Sequence, residues 1–167
     1  FAGKGLQVPL DARASRRHGD SRRRIHTSLM DNKKTVFITG GTSGIGKETV
    51  RVLAAQDLMV VFTAREAEKG EIVRKEVISE TGNENVEYLV CDLASFPSIR
   101  ACAAVFEARY QRLDVLLNNA GVLPQERQES KDGIELNLAV NYLAPFLLTN
   151  LLLPLLKRSA PARIINV

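Results

Sequence analysis

The residues best suited to chemistry begin with three glycines, Gly40, Gly44 and Gly46, which follow a short apolar, β-branched run. Their spacing is Gly-x-x-x-Gly-x-Gly, and a helical pattern begins within them. A glycine turn in this position lets the backbone approach a pyrophosphate, whose charge the free N–H groups and dipole of the helix stabilise. A structural turn would use similar residues, but the position between strand and helix favours dinucleotide binding. The candidate residues of this loop are Gly40, Thr42, Ser43, Gly44, Ile45 and Gly46.

Arg65 follows the second predicted strand, at the position that selects between dinucleotides. An acidic side chain there would accept hydrogen bonds from the ribose hydroxyls and favour NAD. The guanidinium of Arg65 can instead pair with a 2′-phosphate, so the sequence favours NADP, with NAD as the alternative. Two further interpretations stay open. Arg65 could be a solvated charge paired with Glu66 or Glu68, and Glu66 could repel a phosphate.

Alternating strand and helix patterns position these residues. The predicted strands cover 35–39, 59–63, 86–91, 114–118 and 162–167, and the predicted helices cover 45–54, 66–80, 95–111 and 134–158, the third with Ser95 as its N-cap. Such repeated units favour right-handed crossovers and a parallel sheet with helices on both faces. We therefore predict an α/β fold with a Rossmann-type doubly wound parallel sheet in the order 3-2-1-4-5. Its ligand would bind at the switch point between strands 1 and 4.

The composition excludes several classes of protein. With 45% hydrophobic and 25% charged residues, the chain is neither disordered throughout nor collagen-like. No uninterrupted apolar run is long enough for a membrane span, so we expect none. The two cysteines, Cys91 and Cys102, are too few for a disulfide scaffold and lack a metal-ligand spacing. We therefore expect no metal site and a reducing, cytoplasmic compartment.

The net charge of +4 is unevenly distributed along the chain. Residues 1–34 contain nine Lys or Arg and three Asp or Glu, whereas residues 35–167 contain 14 and 16. The predicted domain is therefore mildly acidic. The basic excess is no indication that this domain binds nucleic acid, and we expect no nucleic-acid partner.

Residues 1–32 show no helix or strand period, and we predict a disordered basic arm there, followed by one domain at 33–167. Three interpretations of the arm stay open. It could be upstream sequence before a true start at Met30, or an organelle-targeting segment over residues 1–29. It could also be a basic arm that binds nucleic acid or an anionic membrane.

Several motifs occur together in the predicted domain. They are Thr39–Gly46 (Thr-Gly-x-x-x-Gly-x-Gly), Asp92-Leu93 after strand 3, Leu117–Gly121 (Leu-Asn-Asn-Ala-Gly) and Val140–Leu143 (Val-Asn-Tyr-Leu). In combination they resemble the short-chain dehydrogenase/reductase family over about residues 33–167. The stretches most similar to its retinol-dehydrogenase-like branch are 132–135, 146–149 and 157–161.

The resemblance implies roles for residues at the ends of strands 3 and 4. Asp92 and Leu93 would contact the adenine, although Asp92 could equally be a turn former or helix cap. Asn119, Ala120 and Gly121 would line the adenosine ribose and the cofactor path, although a tight turn also requires Asn and Gly. The implied activity is an NADP-dependent oxidoreductase that interconverts a lipophilic alcohol and its carbonyl compound by hydride transfer.

Asn141 matches the family's catalytic Asn, whose main-chain carbonyl holds a water of the proton relay. Pro145 lies four residues later, and a proline cannot donate a hydrogen bond to that carbonyl. We expect Pro145 to leave the Asn141 carbonyl free for such a water. Alternatively, Pro145 merely bends the helix over the sheet. We expect the apolar run 142–156 to be a core helix. Because the family commonly pairs this helix across a homodimer, we expect part of it to be a subunit interface, with membrane insertion as the poorer alternative.

The family's other catalytic residues have no counterpart in these 167 residues. They are a Ser directly after strand 5 and a Tyr-x-x-x-Lys pair, whereas Tyr88, Tyr110 and Tyr142 are followed four residues later by Asp, Asp and Phe. We expect a fragment that is itself inactive, incomplete at its C-terminus and prone to aggregate through an exposed strand. The alternatives to an oxidoreductase are a non-catalytic dinucleotide-binding sensor or scaffold and a protein targeted by its basic arm.

Overall fold

The computed structural model describes residues 33–167, and the predictions for residues 1–32 lie outside the described part. The elements are β1 (Thr35–Ile38), α1 (Gly44–Ala54), β2 (Met59–Ala64), α2 (Ala67–Thr81), β3 (Val86–Val90), α3 (Phe96–Arg109), β4 (Val115–Asn118), a π-helical turn (Leu138–Leu143), α4 (Ala144–Arg158) and β5 (Arg163–Asn166). The strands form one parallel sheet in the order β3-β2-β1-β4-β5. This order confirms the predicted doubly wound α/β fold.

Strand β1 lies at the centre of the sheet, and its burial explains why its sequence is uninterruptedly apolar. All of its residues are buried. Val36 and Ile38 belong to one core cluster with Val50 of α1. Phe37, between them, stacks on Phe106 of α3 with ring centroids 4.5 Å apart. Because successive side chains of a strand point to opposite faces, α1 and α3 must cover opposite faces of the sheet.

The chain changes direction across the sheet at β1. Ile38 pairs with Phe62 of β2 on one side and with Leu117 of β4 on the other. Because the connections leaving β1 and β4 pass to opposite faces, a crevice opens beyond the carboxyl ends of these two strands. The predicted site residues at strands 1 to 4 are therefore brought to the same edge.

The ends of two helices test the boundaries predicted from the sequence. Helix α3 begins after Ser95, whose Oγ accepts a hydrogen bond from the Ser98 N–H at 3.5 Å, as predicted. The helix predicted from residue 134 starts only after Glu135, so that boundary was wrong. Glu135 forms a β-bridge with Glu129, and its carboxylate accepts the Leu138 N–H at 2.8 Å. The side chain thus satisfies a free N–H group at the helix start.

The segment Leu138–Arg158 is, within residues 33–167, the single helix with the length and composition of a membrane span. Its α4 part nevertheless packs against α3, β4 and β5. Leu148, Leu152 and Leu155 are at most 1% exposed, so this face belongs to the protein core. One buried and one exposed face are typical of an amphipathic helix that packs on a sheet.

Strand β5 forms one edge of the described sheet. Its residues pair with β4, for example Asn166 with Asn118, and the Asn118 Nδ2 donates to the Asn166 Oδ1 at 2.9 Å. All four strand residues are exposed, and Ile164 and Ile165 are more than 40% exposed. The inner strands β1 and β2, by contrast, are entirely buried.

Candidate functional site

A pocket of about 520 Å³ lies beyond the carboxyl ends of β1, β2, β3 and β4. The predicted site residues that line it are Gly40, Thr42, Ser43, Arg65, Asp92, Leu93, Ala120 and Gly121. Other lining residues were not predicted, namely Thr63, Glu66, Lys69, Cys91, Ala94, Val122, Leu136 and Val140. A second depression of about 570 Å³ follows the outer edge of β3 and contains none of the predicted residues. The pocket at the strand ends is therefore the candidate site.

The glycine loop has a backbone that side chains would obstruct. Gly40 has a φ of +73°, and a Cβ there would lie 2.9 Å from the Cβ of Ala120. A Cβ on Gly46 would collide with the Gly40 carbonyl oxygen and the Asn119 side chain. Gly44 has a φ of +53° and has open space where a Cβ would lie. Gly40 and Gly46 thus allow close packing of the loop, whereas Gly44 permits a left-handed turn beside open space.

Two threonines that the sequence analysis did not select as site residues hold this loop. The Thr63 Oγ1 accepts the Gly40 N–H at 3.0 Å. The Thr39 Oγ1 accepts the N–H groups of Asn119 and Ala120, both at 3.0 Å. The Asn119 Nδ2 in turn donates to the Thr39 carbonyl at 3.0 Å, so Asn119 braces the loop rather than lining the pocket. The position of Thr39 directly before Gly40 was a signal for this role.

The N-terminus of α1 opens beside the pocket. Ser43 precedes the helix in an extended conformation, and its side chain forms no capping hydrogen bond. Neither Gly44 nor Ile45 lines the pocket, and the Ile45 side chain is 75% exposed. Ile45 can therefore contact a ligand at the helix N-terminus only through its backbone. Such a terminus stabilises anions through its N–H groups and dipole.

Arg65 is exposed at the end of β2 and contributes positive charge to the pocket. Within residues 33–167 it forms no ion pair, so the alternative pairing with Glu66 or Glu68 is not observed. Glu66 pairs instead with Lys69, whose Nζ lies 2.9 Å from its Oε1. The hydrogen bond and charge of Lys69 lower the pKa of Glu66, which is therefore ionised at neutral pH. The pocket thus has two cations and one paired carboxylate at this end.

Asp92 forms the wall of the pocket beyond β3. Its Oδ1 accepts the Ala94 N–H at 3.0 Å, and its Oδ2 lies 2.8 Å from the Nζ of Lys131. Partial burial raises the pKa of Asp92, but the hydrogen bonds and charge of Lys131, together with the Ala94 N–H, outweigh it and hold the pKa below its ordinary value. Asp92 is therefore both a turn former and a pocket carboxylate.

Asn141 lies outside the pocket lining but is tied to it. Its Oδ1 accepts the Val122 N–H at 2.8 Å, and its Nδ2 donates to the Val122 carbonyl at 2.9 Å. Ala144 donates to the Ala139 carbonyl, five residues back, so the helix is π-helical here. Pro145 has no N–H to donate to the Asn141 carbonyl, and the ordinary ladder is interrupted at the predicted place.

Residues 34–167 match the sequence model of the short chain dehydrogenase family. The chain therefore belongs to the short-chain dehydrogenase family, as its motifs predicted. It is 48% identical over 134 residues to human Retinol dehydrogenase 11 and 46% identical over the same length to human Retinol dehydrogenase 13. These matches cover 80% of this chain but only 42% and 40% of the two relatives, so the chain spans about two fifths of their length.

Solved structures of the same family resemble the described fold. The Pseudomonas aeruginosa RhlG/NADP active-site complex superimposes with a TM-score of 0.68 at 31% identity and covers 82% of this chain and 55% of that one. A metagenomic short-chain oxidoreductase in complex with NADP gives a TM-score of 0.69 at 34% identity, with 80% and 61% covered. Both relationships support the identified fold and family, and the retinol-dehydrogenase-like resemblance is confirmed by the sequence relatives.

Proposed function

We propose that the protein containing this chain is an NADP-dependent oxidoreductase that interconverts a lipophilic alcohol and its carbonyl compound by hydride transfer. The observation that carries this proposal is the pocket at the β1–β4 switch point, which joins the glycine loop to Arg65. Membership of the short-chain dehydrogenase family supports the same reaction. Two structural neighbours are complexes with NADP, which supports the choice of cofactor.

The residues of the pocket fit a phosphorylated dinucleotide. Gly40 and Gly46 permit the tight loop, and the free N–H groups near Gly44 would hold the pyrophosphate with the hydroxyls of Thr42 and Ser43. These contacts require no change in the loop, because its conformation is already fixed by Thr39 and Thr63.

The adenosine end fits NADP better than NAD. Arg65, the unpaired cation at this end of the pocket within residues 33–167, would pair with the 2′-phosphate. Glu66 is neutralised by Lys69, which removes the objection that it repels a phosphate. Asp92 would accept a hydrogen bond from the adenine amino group, with Leu93 against the ring, as the family resemblance implies.

The reacting end lies towards Gly121 and Asn141. NADP, when bound, supplies the nicotinamide that accepts or donates the hydride. Asn119 holds the loop, Ala120 and Gly121 leave room for the cofactor path, and the Asn141 carbonyl would hold a water that carries the proton. The Tyr that protonates the alkoxide in this family, and the Lys and Ser that act with it, would have to come from outside these 167 residues.

A lipophilic substrate is supported by the pocket wall and by the relatives. Val122, Leu136 and Val140 give one side of the pocket an apolar surface. Leu123, next to Val122, is 90% exposed. Two relatives are retinol dehydrogenases by name, and we infer a substrate of comparable apolar character.

We further infer that the intact protein is a homodimer. Leu138, Tyr142 and Phe146 recur every fourth residue on one helix face and are 49%, 66% and 63% exposed. A second copy would remove this apolar stripe from water. Tyr142→Glu should shift the oligomer towards monomer in light scattering after size exclusion, and an unchanged mass would contradict the proposal.

A cytoplasmic, reducing location is part of the proposal. Both Cys91 and Cys102 are free thiols and are buried. Fractionation of cells that express the chain with and without residues 1–29 tests this against organelle targeting. Retention of both forms in the cytosol would support the proposal, whereas organelle uptake that depends on residues 1–29 would overturn it.

The activity itself is tested with the intact protein, NADPH and retinal, by following the loss of absorbance at the NADPH band. Turnover with NADPH in preference to NADH supports the proposal. Tight NADPH binding without turnover of any alcohol or aldehyde would instead favour a non-catalytic sensor or scaffold. The absence of dinucleotide binding would overturn both.

A further inference from the structure

The segment before the π-helical turn is folded into a hairpin, which we call the strap and define as residues 128–135. Glu129 and Glu135 form an antiparallel bridge. The Ser130 N–H donates to the Ile134 carbonyl at 2.7 Å, and Gly133 turns the chain with a φ of +72°. The polar segment between β4 and the π-helical turn therefore has a defined backbone at the strap.

The strap is held against the N-terminus of α3. The Lys131 N–H donates to the Ala94 carbonyl at 3.0 Å. The Phe96 N–H donates to the Asp132 Oδ2 at 2.8 Å, which satisfies a free N–H group of the helix. Ala94 lines the nucleotide pocket, as does Leu136 directly after the strap. These two hydrogen bonds therefore fix the strap at the rim of the pocket.

The side chain of Lys131 reaches from the strap to the pocket carboxylate. Its Nζ lies 2.8 Å from the Asp92 Oδ2, while the Ala94 N–H occupies the Oδ1 at 3.0 Å. Each carboxylate oxygen has two acceptor sites, so both oxygens keep one for a ligand. With one partner on each oxygen, the plane of the carboxylate is fixed in the pocket wall.

We propose that Lys131 is a positioning residue for the adenosine half of the dinucleotide, which it serves by orienting the Asp92 carboxylate at the pocket rim. This inference rests on the proposed function and adds to it a residue on a separate element. Lys131 is 70% exposed, and an exposed ion pair contributes little to the free energy of unfolding. Its contribution is therefore expected in ligand binding rather than in stability.

The experiment compares the intact wild-type protein with Lys131→Met, Lys131→Arg and Lys75→Met. Lys75 is a matched control, because it is 74% exposed, pairs with Glu71 at 3.5 Å and does not line the pocket. Binding is measured by fluorescence with NADPH and with reduced nicotinamide mononucleotide, which lacks adenosine. Adenosine 2′,5′-bisphosphate is the probe of the adenosine half of the dinucleotide. Thermal unfolding of each variant is measured in parallel.

The proposal expects Lys131→Met to weaken binding of NADPH and adenosine 2′,5′-bisphosphate by about five- to tenfold, the worth of one ordinary hydrogen bond between Asp92 and the ligand. Binding of the mononucleotide and the melting temperature stay unchanged, Lys131→Arg restores most of the affinity, and Lys75→Met has no effect. Unchanged NADPH affinity in Lys131→Met would overturn the inference but leave the proposed function intact. Equal weakening of both half-ligands, or a lowered melting temperature, would assign Lys131 a structural role instead. Wild-type protein that binds no dinucleotide would refute both proposals.

Discussion

The hydroxyl of Thr39 accepts the backbone N–H of Asn119 at 3.0 Å, across 80 positions of sequence. The same oxygen accepts the Ala120 N–H, and the Asn119 side chain returns a hydrogen bond to the Thr39 carbonyl. The carboxyl ends of β1 and β4 are thus joined by side-chain contacts just beyond their ladder. The glycine loop and the opposite wall of the pocket therefore form one hydrogen-bonded unit.

Replacement of Thr39 by Val should weaken this unit. Valine keeps the β-branched shape but leaves two N–H groups without an acceptor at a residue only 4% exposed. We expect the free energy of unfolding to fall by about 1–3 kcal/mol, the cost of unsatisfied buried donors. Urea denaturation measures the change. Thr49→Val, at a half-exposed helix residue, should change stability by less than about 0.5 kcal/mol. Equal effects of the two substitutions would contradict this role of Thr39.

Arg65→Gln should change the preference between cofactors. Loss of a charge-assisted contact with the 2′-phosphate is expected to weaken NADPH binding about 10- to 100-fold, while NADH binding stays the same. Fluorescence titration with both cofactors measures the ratio. Arg100→Gln, at an exposed residue of α3 away from the pocket, is the control. Equal losses for NADPH and NADH would exclude Arg65 as the residue that reads the 2′-phosphate.

Gly46→Ala should be more disruptive than Gly44→Ala. The new methyl group at residue 46 would collide with the Gly40 carbonyl, which forces α1 away from the loop at a cost of about 1–3 kcal/mol. At residue 44 there is free space, and the positive φ alone costs about 1–2 kcal/mol. Midpoints of urea unfolding and NADPH affinities of the two variants provide the comparison. A Gly46→Ala protein with wild-type NADPH affinity would show that the loop tolerates displacement of the helix.

Asp114 should make stability depend on pH in acid. Its Oδ2 accepts the Thr35 N–H at 2.7 Å and a hydrogen bond from Arg112 Nε at 2.9 Å. Burial raises the pKa of Asp114, but these partners outweigh burial and lower the pKa overall. A lowered folded-state pKa stabilises the protein above the unfolded value of about 3.9, and this contribution is lost as the pH falls through the folded-state value.

The corresponding experiment measures urea unfolding from neutral pH down to about pH 2, because the contribution of Asp114 is lost below the unfolded-state pKa of about 3.9. The free energy of unfolding of the wild type should fall in acid. Asp114→Asn should be less stable at neutral pH, and its free energy of unfolding should fall less as the pH is lowered. Asp57→Asn is the control, since that carboxylate is largely exposed. An equal loss of unfolding free energy in acid for wild type and Asp114→Asn would assign the pH dependence to other carboxylates.

The order of strands and helices and the location of the glycine loop follow from patterns along the chain. These features are local: Val36–Ile38 are apolar because a central strand is buried on both faces, and Gly40 marks a turn that only glycine readily forms. The parallel topology then brings Arg65, Asp92 and Ala120 to one edge, because all strands end there. That part of the site was therefore predictable.

The side chains that hold these residues in place are known only from the folded structure. The contacts of Lys131 with Asp92, of Thr39 with Asn119 and of Asn141 with Val122 join segments 19 to 80 positions apart. No pattern along the chain records them, because such contacts arise from the distance between folded segments and not from a local preference. The late start of the helix after Glu135 has the same origin, since its bridge to Glu129 competes with the helical pattern.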